Sequence, residues 1–243
     1  KNPIVVQFWR DIAGKTTGES GLQNMIPYIT NKFDVFISND VMRPIIAQQE
    51  SAFNFRKVMD EKKILLVNLS KGRMGEMNAN LLGMIIVGKI LMASLSRTDI
   101  PEAQRAPFYL YIDEFQNFLT QGVATILSEA RKYGLSLNIA HQYIGQLAGG
   151  GMEGKQGNSK VKDAIFGNVG TIVSFRIGVD DAETMAKQFA PTLNEYDVMN
   201  VERYHAYIRL LISNTASRPF TIKTIAPQKG DPSIVEPVKT LSR

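Results

Sequence analysis

Cysteine is absent from the 243 residues. Disulfides and thiolate-held metals are therefore excluded, and a reducing compartment is compatible with the chain. Histidine is nearly as scarce, with only His141 and His205, so a histidine-rich metal centre is not expected. The phosphate-cradling pattern G-x-x-x-x-G-K-[ST] is missing. Gly14-Lys15-Thr16 offers its last three letters, but Trp9 stands where the first glycine belongs. The intervening Asp11-Ile12-Ala13 also lacks the small, flexible character of such a loop, so we read Gly14-Lys15-Thr16 as a decoy. Long apolar runs are missing too. The most apolar window, residues 81–95, contains Lys89 and two glycines. It falls short of the roughly 20 apolar residues of a spanning helix. No signal-peptide pattern opens the chain.

What remains is ordinary material for a folded domain. Hydrophobic residues make up 44% and charged residues 21%, enough to bury a core without staples. The length fits one large domain, or one domain with a small addition. The net charge of +5 suits a slightly basic enzyme and equally a surface that meets nucleic acid phosphates. The basic residues form no tract.

The organisation changes along the chain. Residues 1–60 are expected to form a small helical subdomain, interrupted by Pro3, Gly14, Gly18, Gly21 and Pro44. From Lys62 the pattern alternates. Residues 64–69 form a continuous apolar run, as in a strand buried on both faces. Residues 76–97 read as a long helix, 108–112 as a strand, and 120–133 as an amphipathic helix stopped by Gly134. Further strands are expected at 135–140, 170–175, 206–212 and 220–225. Helices are expected at 161–166 and 180–189, the second capped by Asp180 or Asp181. Residues 61–226 thus read as one α/β core, and 227–243 as a mobile tail rich in Pro, Lys and Ser. Alternating strands and helices imply a mainly parallel sheet with helices on both faces, whose ligands bind at the carboxyl ends of the strands.

Those strand ends carry the candidate chemistry. Asp113 and Glu114 are adjacent carboxylates at the end of an apolar strand. Such a pair is costly there unless it is paired or used. One carboxylate suits a hydrated Mg²⁺, a hard cation that prefers oxygen, and the next suits the attacking water of phosphoryl transfer. The plain alternative is a pair of capping acids in a loop. Gln142, after the next strand, has an amide that both donates and accepts, fitting it to a γ-phosphate and a lytic water. An ordinary polar turn residue reads equally well. His141 reads as a packed or surface histidine.

Arg131 falls in the last turn of the expected helix, where a cation complements the dipole. An arginine finger is the functional alternative, and Arg176 after the strand at 170–175 is a second candidate. Lys71 and Arg73, in the glycine-containing turn at 70–75, are candidate phosphate contacts. Lys155 and Lys160 lie in a glycine-rich stretch, a candidate channel loop or a plain linker.

In order and spacing, Tyr111-Ile112-Asp113-Glu114-Phe115-Gln116, then Leu127-Ser128-Glu129-Ala130-Arg131-Lys132-Tyr133-Gly134, then Ala140-His141-Gln142 resemble a known family. It is the HerA/FtsK-type DNA-pumping ATPases, in particular the TraG/TraD-like coupling proteins of conjugative type IV secretion. Ile165-Phe166-Gly167-Asn168 and the following Phe175-Arg176 are similar too, and the resemblance covers roughly residues 62–225. It implies a RecA-like P-loop NTPase core working as a hexameric ring around DNA, with ATP and Mg²⁺ as cofactors. By position, Asp113 is the Walker B residue of the Mg²⁺ shell and Glu114 the catalytic base. Gln142 is the γ-phosphate sensor, Arg131 acts in trans, and residues 1–60 correspond to an inserted all-α domain.

The family's Walker A segment has no counterpart here. Either it lies upstream of Lys1, or this chain does not bind ATP alone. The resemblance implies a cytoplasmic protein, at the inner membrane face and beside membrane-embedded secretion components when full length.

Three readings compete. The first is an ATP-driven DNA translocase. The second is a non-catalytic DNA-binding or assembly subunit with a degenerate core. The third, a metal-dependent nuclease built on Asp113 and Glu114, ranks last, because Ser70, Gln142 and Arg176 supply no further carboxylates at neighbouring strand ends.

Overall fold

The computed structural model describes residues 3–7, 10–11, 22–118, 129–149 and 159–241. Gly14-Lys15-Thr16, Lys155 and residues 120–128 of the helix expected at 120–133 lie outside the described residues. The chain divides into two compact units, residues 1–140 and 141–243.

The first unit opens with helices α1 (Pro3–Gln7), α2 (Leu22–Ile37), α3 (Met42–Ile46) and α4 (Phe55–Asp60). The Asn54 side chain caps α4 by accepting from the Arg56 and Lys57 N–H groups at 2.8 and 3.2 Å, which satisfies two donors that a helix start leaves open. A short helix, α5 (Lys71–Met74), leads into the long α6 (Glu76–Leu95). By length and composition α6 with its following turn could cross a membrane, where the sequence reading placed this window short of a span. In the structure it packs against α4, α5 and the turn Phe115–Phe118, and buries Ala79, Ile90, Ala93 and Ser94. Gly83 makes that packing possible, because a Cβ there would sit 2.1 Å from the Phe118 ring.

Strands β1 (Phe108–Ile112) and β2 (Leu135–Ile139) pair in parallel, Phe108 opposite Leu135 and Ile112 opposite Ile139. Both match the expected spans closely. Residues 64–69 differ from expectation, for they run without regular secondary structure and join no ladder. Ile64 and Leu66 are 88% and 82% exposed. The run has the composition of a two-sided strand, but among the described residues nothing covers those side chains.

A cluster of arginines joins the elements of this unit. Arg97, fully buried, lies just beyond α6. Its Nε donates to Asp60 at the end of α4 (2.9 Å), Nη2 to the Ala106 carbonyl before β1 (2.8 Å), and Nη1 to the Tyr133 carbonyl before β2 (3.0 Å). Asp60 also accepts from Arg56 at 3.1 Å. Arg56 in turn donates to the Ser96 carbonyl and to both oxygens of Asp99. That partner holds the Asp99 carboxyl below its usual range.

The second unit contains α7 (Gly145–Gly149), α8 (Ser159–Asn168), β3 (Ile172–Ser174), α9 (Val179–Phe189), α10 (Glu195–Met199), β4 (His205–Arg209), β5 (Leu211–Ile212), β6 (Thr215–Ala216), β7 (Phe220–Lys223) and α11 (Val235–Leu241). Its core gathers Ile144, Ile172, Met185, Phe189 and Val198. The sheet order is β3-β4-β7, and both pairings are antiparallel. This corrects the expectation that the later strands extend a parallel sheet. The β3–β4 connection carries two helices and returns the chain in the opposite sense. The link from β4 to β7 is a small β5–β6 hairpin, too short for the crossover that parallel neighbours need. The strand expected at 206–212 splits at Leu210 into β4 and β5. The stretch expected as a mobile tail carries the exposed helix α11.

Arg97→Met should destabilise the protein by about 3 kcal/mol, since it leaves two carbonyl acceptors without a donor and Asp60 with Arg56 alone. Gly134→Ala should cost about 1–2 kcal/mol, because φ is +74° there and the left-handed region is unfavourable to a side chain. Urea denaturation of each variant against the parent checks both values.

Candidate active site

The apolar run of β1 ends at Ile112, and the two carboxylates follow at once. The β1–β2 register makes this the carboxyl edge of a parallel pair, the edge where such sheets hold ligands. The backbone then turns sharply. Glu114 adopts φ of +50°, uncommon for any residue but glycine. Several bonds hold it there. Asp113 accepts from the Glu114 N–H at 2.9 Å, the Phe115 N–H donates to the Ala140 carbonyl at 3.0 Å, and the Asn117 N–H donates to the Glu114 carbonyl at 3.0 Å. The Gln116 side-chain amide donates to the Glu114 carboxylate. Buried Phe115 anchors the turn from below. The result is an exposed Asp113 beside a half-buried, oriented Glu114. Strain held by several bonds at a strand edge is characteristic of functional sites.

These carboxylates stand at one end of a groove of about 920 Å³ within the first unit, lined by residues 62–69, the face of α6 and β1. Most of the groove is apolar. Lys71, Asn80 and Asn117 also line it. Asn80 Oδ1 and Asn117 Nδ2 are buried without a hydrogen-bond partner among the described residues. Buried polar atoms are normally satisfied, so the groove that Asp113 and Glu114 line also offers one unused acceptor and one unused donor among the described residues.

Among the described residues no cluster of three or more carboxylate or imidazole groups could hold a metal. The donor set still fits Mg²⁺, which keeps most of its waters and needs only one or two protein carboxylates. Asp113, exposed at the carboxyl edge, is the residue that could hold it.

Arg131 falls elsewhere. It lies in the 3-10 turn Ala130–Tyr133, directly before β2 and stopped by the left-handed Gly134. That is the amino edge of the pair, whereas Asp113 and Glu114 are at the carboxyl edge. Five strand residues at about 3.3 Å each separate the two edges by roughly 16 Å. The structure therefore does not bring Arg131 to the carboxylates of its own chain. Its side chain is exposed. The predicted stop at Gly134 is observed.

Gln142 and Arg176 belong to the second unit, and both are exposed. The loop that carries Gln142 is fixed locally. Gln146 Oε1 accepts from the Gln142 and Tyr143 N–H groups at 3.1 and 3.3 Å. Asp181, expected as a helix cap, instead accepts from the Ile144 N–H at 2.8 Å. Gly178 takes the cap position of α9 with no side-chain bond. His141 is half-buried, and its Nδ1 has no hydrogen-bond partner among the described residues. Burial pushes its pKa below the ordinary value, against the opposing Tyr143 backbone bond and Asp181 charge.

Lys71 pairs with Glu76 at 3.0 Å, and Arg73 is exposed on the same short helix. Lys160 begins α8. The sequence reading missed Arg56, Asp60, Arg97 and Arg105. Its one available signal was an arginine closing an otherwise apolar helix.

A parallel strand pair that delivers acidic residues to its carboxyl edge, packed on helices, is an α/β arrangement. Three structures of the conjugative coupling protein TrwB share the fold over 94% of this chain. The unbound bacterial TrwBdeltaN70 gives a TM-score of 0.61 at 13% identity. The complexes with the GTP analogue GDPNP and the ATP analogue ADPNP give 0.62 and 0.59, each at 14% identity. The chain spans 56% of the length of these TrwB structures. Residues 107–219 match the family described as the TraM recognition site of TraD and TraG. No curated protein sequence matches it.

Protonating His141 is disfavoured in the folded state, so stability should fall as pH drops from about 6.5, the ordinary histidine value, through its depressed folded value. Thermal unfolding between pH 7.5 and 5 should show this loss, and His141→Gln should flatten it. An equally steep loss in the variant would assign the effect to other groups.

Proposed function

We propose that this chain is the hydrolysis half of an ATP-driven DNA-translocating coupling ATPase of the conjugative, type IV secretion kind. The observation that carries the reading is the strained Asp113-Glu114 turn at the carboxyl edge of the parallel pair. Asp113 would hold the water shell of Mg²⁺, whose charge offsets the charge developing on the transferred phosphoryl group. Glu114, oriented by Gln116 and its left-handed backbone, would accept a proton from the attacking water. Gln142 would hydrogen-bond the γ-phosphate, and Arg176 is a further candidate contact to the nucleotide. Arg131 would serve the site of a neighbouring copy, which its place on the opposite edge supports. A head-to-tail ring uses two different faces of each subunit in this way, and a hexamer is the expected form. Lys71, Arg73, Lys155 and Lys160 are the proposed DNA contacts.

The TrwB complexes with ATP and GTP analogues support nucleotide binding as the business of this fold. The TraM recognition family points to partners that process DNA for transfer. We place the protein in the cytoplasm, at the inner membrane face.

The test is the DNA-stimulated ATPase of the full-length protein. Glu114→Gln keeps the shape of the side chain and its contacts. It should lower kcat by about a hundredfold or more while leaving nucleotide binding intact. Unchanged turnover in Glu114→Gln would remove Glu114 as the base, and absence of any turnover in the parent would leave the non-catalytic subunit as the better reading. DNA affinity should also fall steeply with added salt if lysine and arginine contacts to phosphates dominate.

A further inference from the structure

The turn that carries Arg131 is held more firmly than a surface turn requires. Two arginines grip the two residues after it. Arg97 Nη1 donates to the Tyr133 carbonyl at 3.0 Å, and Arg105 Nη1 donates to the Lys132 carbonyl. The Arg105 guanidinium also lies over the Tyr133 ring, 5.3 Å from its centroid, at stacking distance. Arg105 is itself fixed, because its Nε donates to the Arg97 and Ile100 carbonyls at 3.1 and 2.9 Å. On the far side of the turn, the Gly134 N–H reaches back to the Ala130 and Arg131 carbonyls. The Gly134 carbonyl accepts from the Phe108 N–H at the start of β1, at 2.8 Å. Arg131 itself stays exposed.

A 3-10 turn of four residues has poor internal bonding and little stiffness of its own. Here its last carbonyls, which a helix end leaves open, are taken by guanidinium groups rooted in the core. Such charge-assisted bonds are roughly twice as strong as neutral ones. The planar fork of arginine suits this work. It can donate to a carbonyl, stack on a ring and remain charged, whereas lysine offers a point charge on a flexible stem.

We infer that Arg105, backed by Arg97, is a positioning residue that fixes the Lys132–Tyr133 end of the turn and so sets where the Arg131 guanidinium reaches on a neighbouring molecule. The inference rests on the reading of Arg131 as an arginine acting in trans. Arg97 is too deeply built into the core to test the idea, so the experiment falls on Arg105, which is only half-buried.

The measurement is steady-state DNA-stimulated ATP hydrolysis by the full-length protein carrying Arg105→Met, with KM for ATP and thermal midpoint recorded together. Positioning predicts kcat lower by about tenfold to a hundredfold, the usual effect of a small misplacement of a reacting group, with KM within about twofold. Arg105→Lys should recover only part of the loss. Tyr133→Leu, which removes the stack and keeps both carbonyls, should shift kcat in the same direction and serves if Arg105→Met does not fold. Wild-type kcat in folded Arg105→Met or Tyr133→Leu protein overturns the inference, and so does a loss confined to KM. Arg131→Ala separates the two levels of the argument. Wild-type turnover in Arg131→Ala removes the trans role itself. Impaired Arg131→Ala beside fully active Arg105→Met removes only the positioning role.

Discussion

The guanidinium of Arg97 holds the first unit together. It is a fully buried cation, and in a medium poor in water a charge persists only when it is paired and hydrogen-bonded. The structure meets that demand with one carboxylate and two backbone carbonyls, drawn from three separate segments. The consequence is geometric. Residues 60, 106 and 133 must converge on the end of α6. Two of them lie immediately before β1 and β2, so the starts of both strands are set by a single side chain. With the starts fixed and the pairing parallel, the carboxyl edge is fixed as well, and with it the place of Asp113 and Glu114.

That arrangement separates two kinds of chemistry. The carboxyl edge gathers acid groups, a strained turn and unsatisfied amides, a setting for a cation and an activated water. The amino edge gathers arginines, of which Arg97 and Arg105 face inward to carbonyls while Arg131 is exposed. One strand pair thus presents an acidic edge and a cationic edge about 16 Å apart. A single copy cannot close that gap with one arginine side chain. Successive copies arranged head to tail would bring the edges together, and catalysis would then depend on assembly.

Much of this was legible in the sequence, for local reasons. Strand β1 announces itself by five apolar or aromatic residues followed by carboxylates, a pattern that needs no knowledge of neighbours. Gly134 was legible because a left-handed helix stop has a strong residue preference. Other features depend on distant partners and left no local trace. The run 64–69 has the composition of a two-sided strand, yet pairing is set by what lies beside it. The antiparallel order β3-β4-β7 follows from how connections return, which periodicity does not record. Asp181 looked like a helix cap and serves the Ile144 amide 37 residues away. Arg97 looked like any cation at a helix end, since burial of a charge is decided by the acceptors that reach it. The positive φ of Glu114 has no residue signature at all.

The central claim is that one copy supplies Asp113 and Glu114 while another supplies Arg131. The most direct measurement mixes two inactive full-length proteins, Glu114→Gln and Arg131→Ala, and follows ATP hydrolysis against their ratio. A shared site predicts that activity returns in the mixture and peaks at intermediate ratios, where an intact Glu114 meets an intact Arg131 across an interface. Activity that stays at the level of the separate variants at every ratio, although the two proteins co-assemble, would contradict the account.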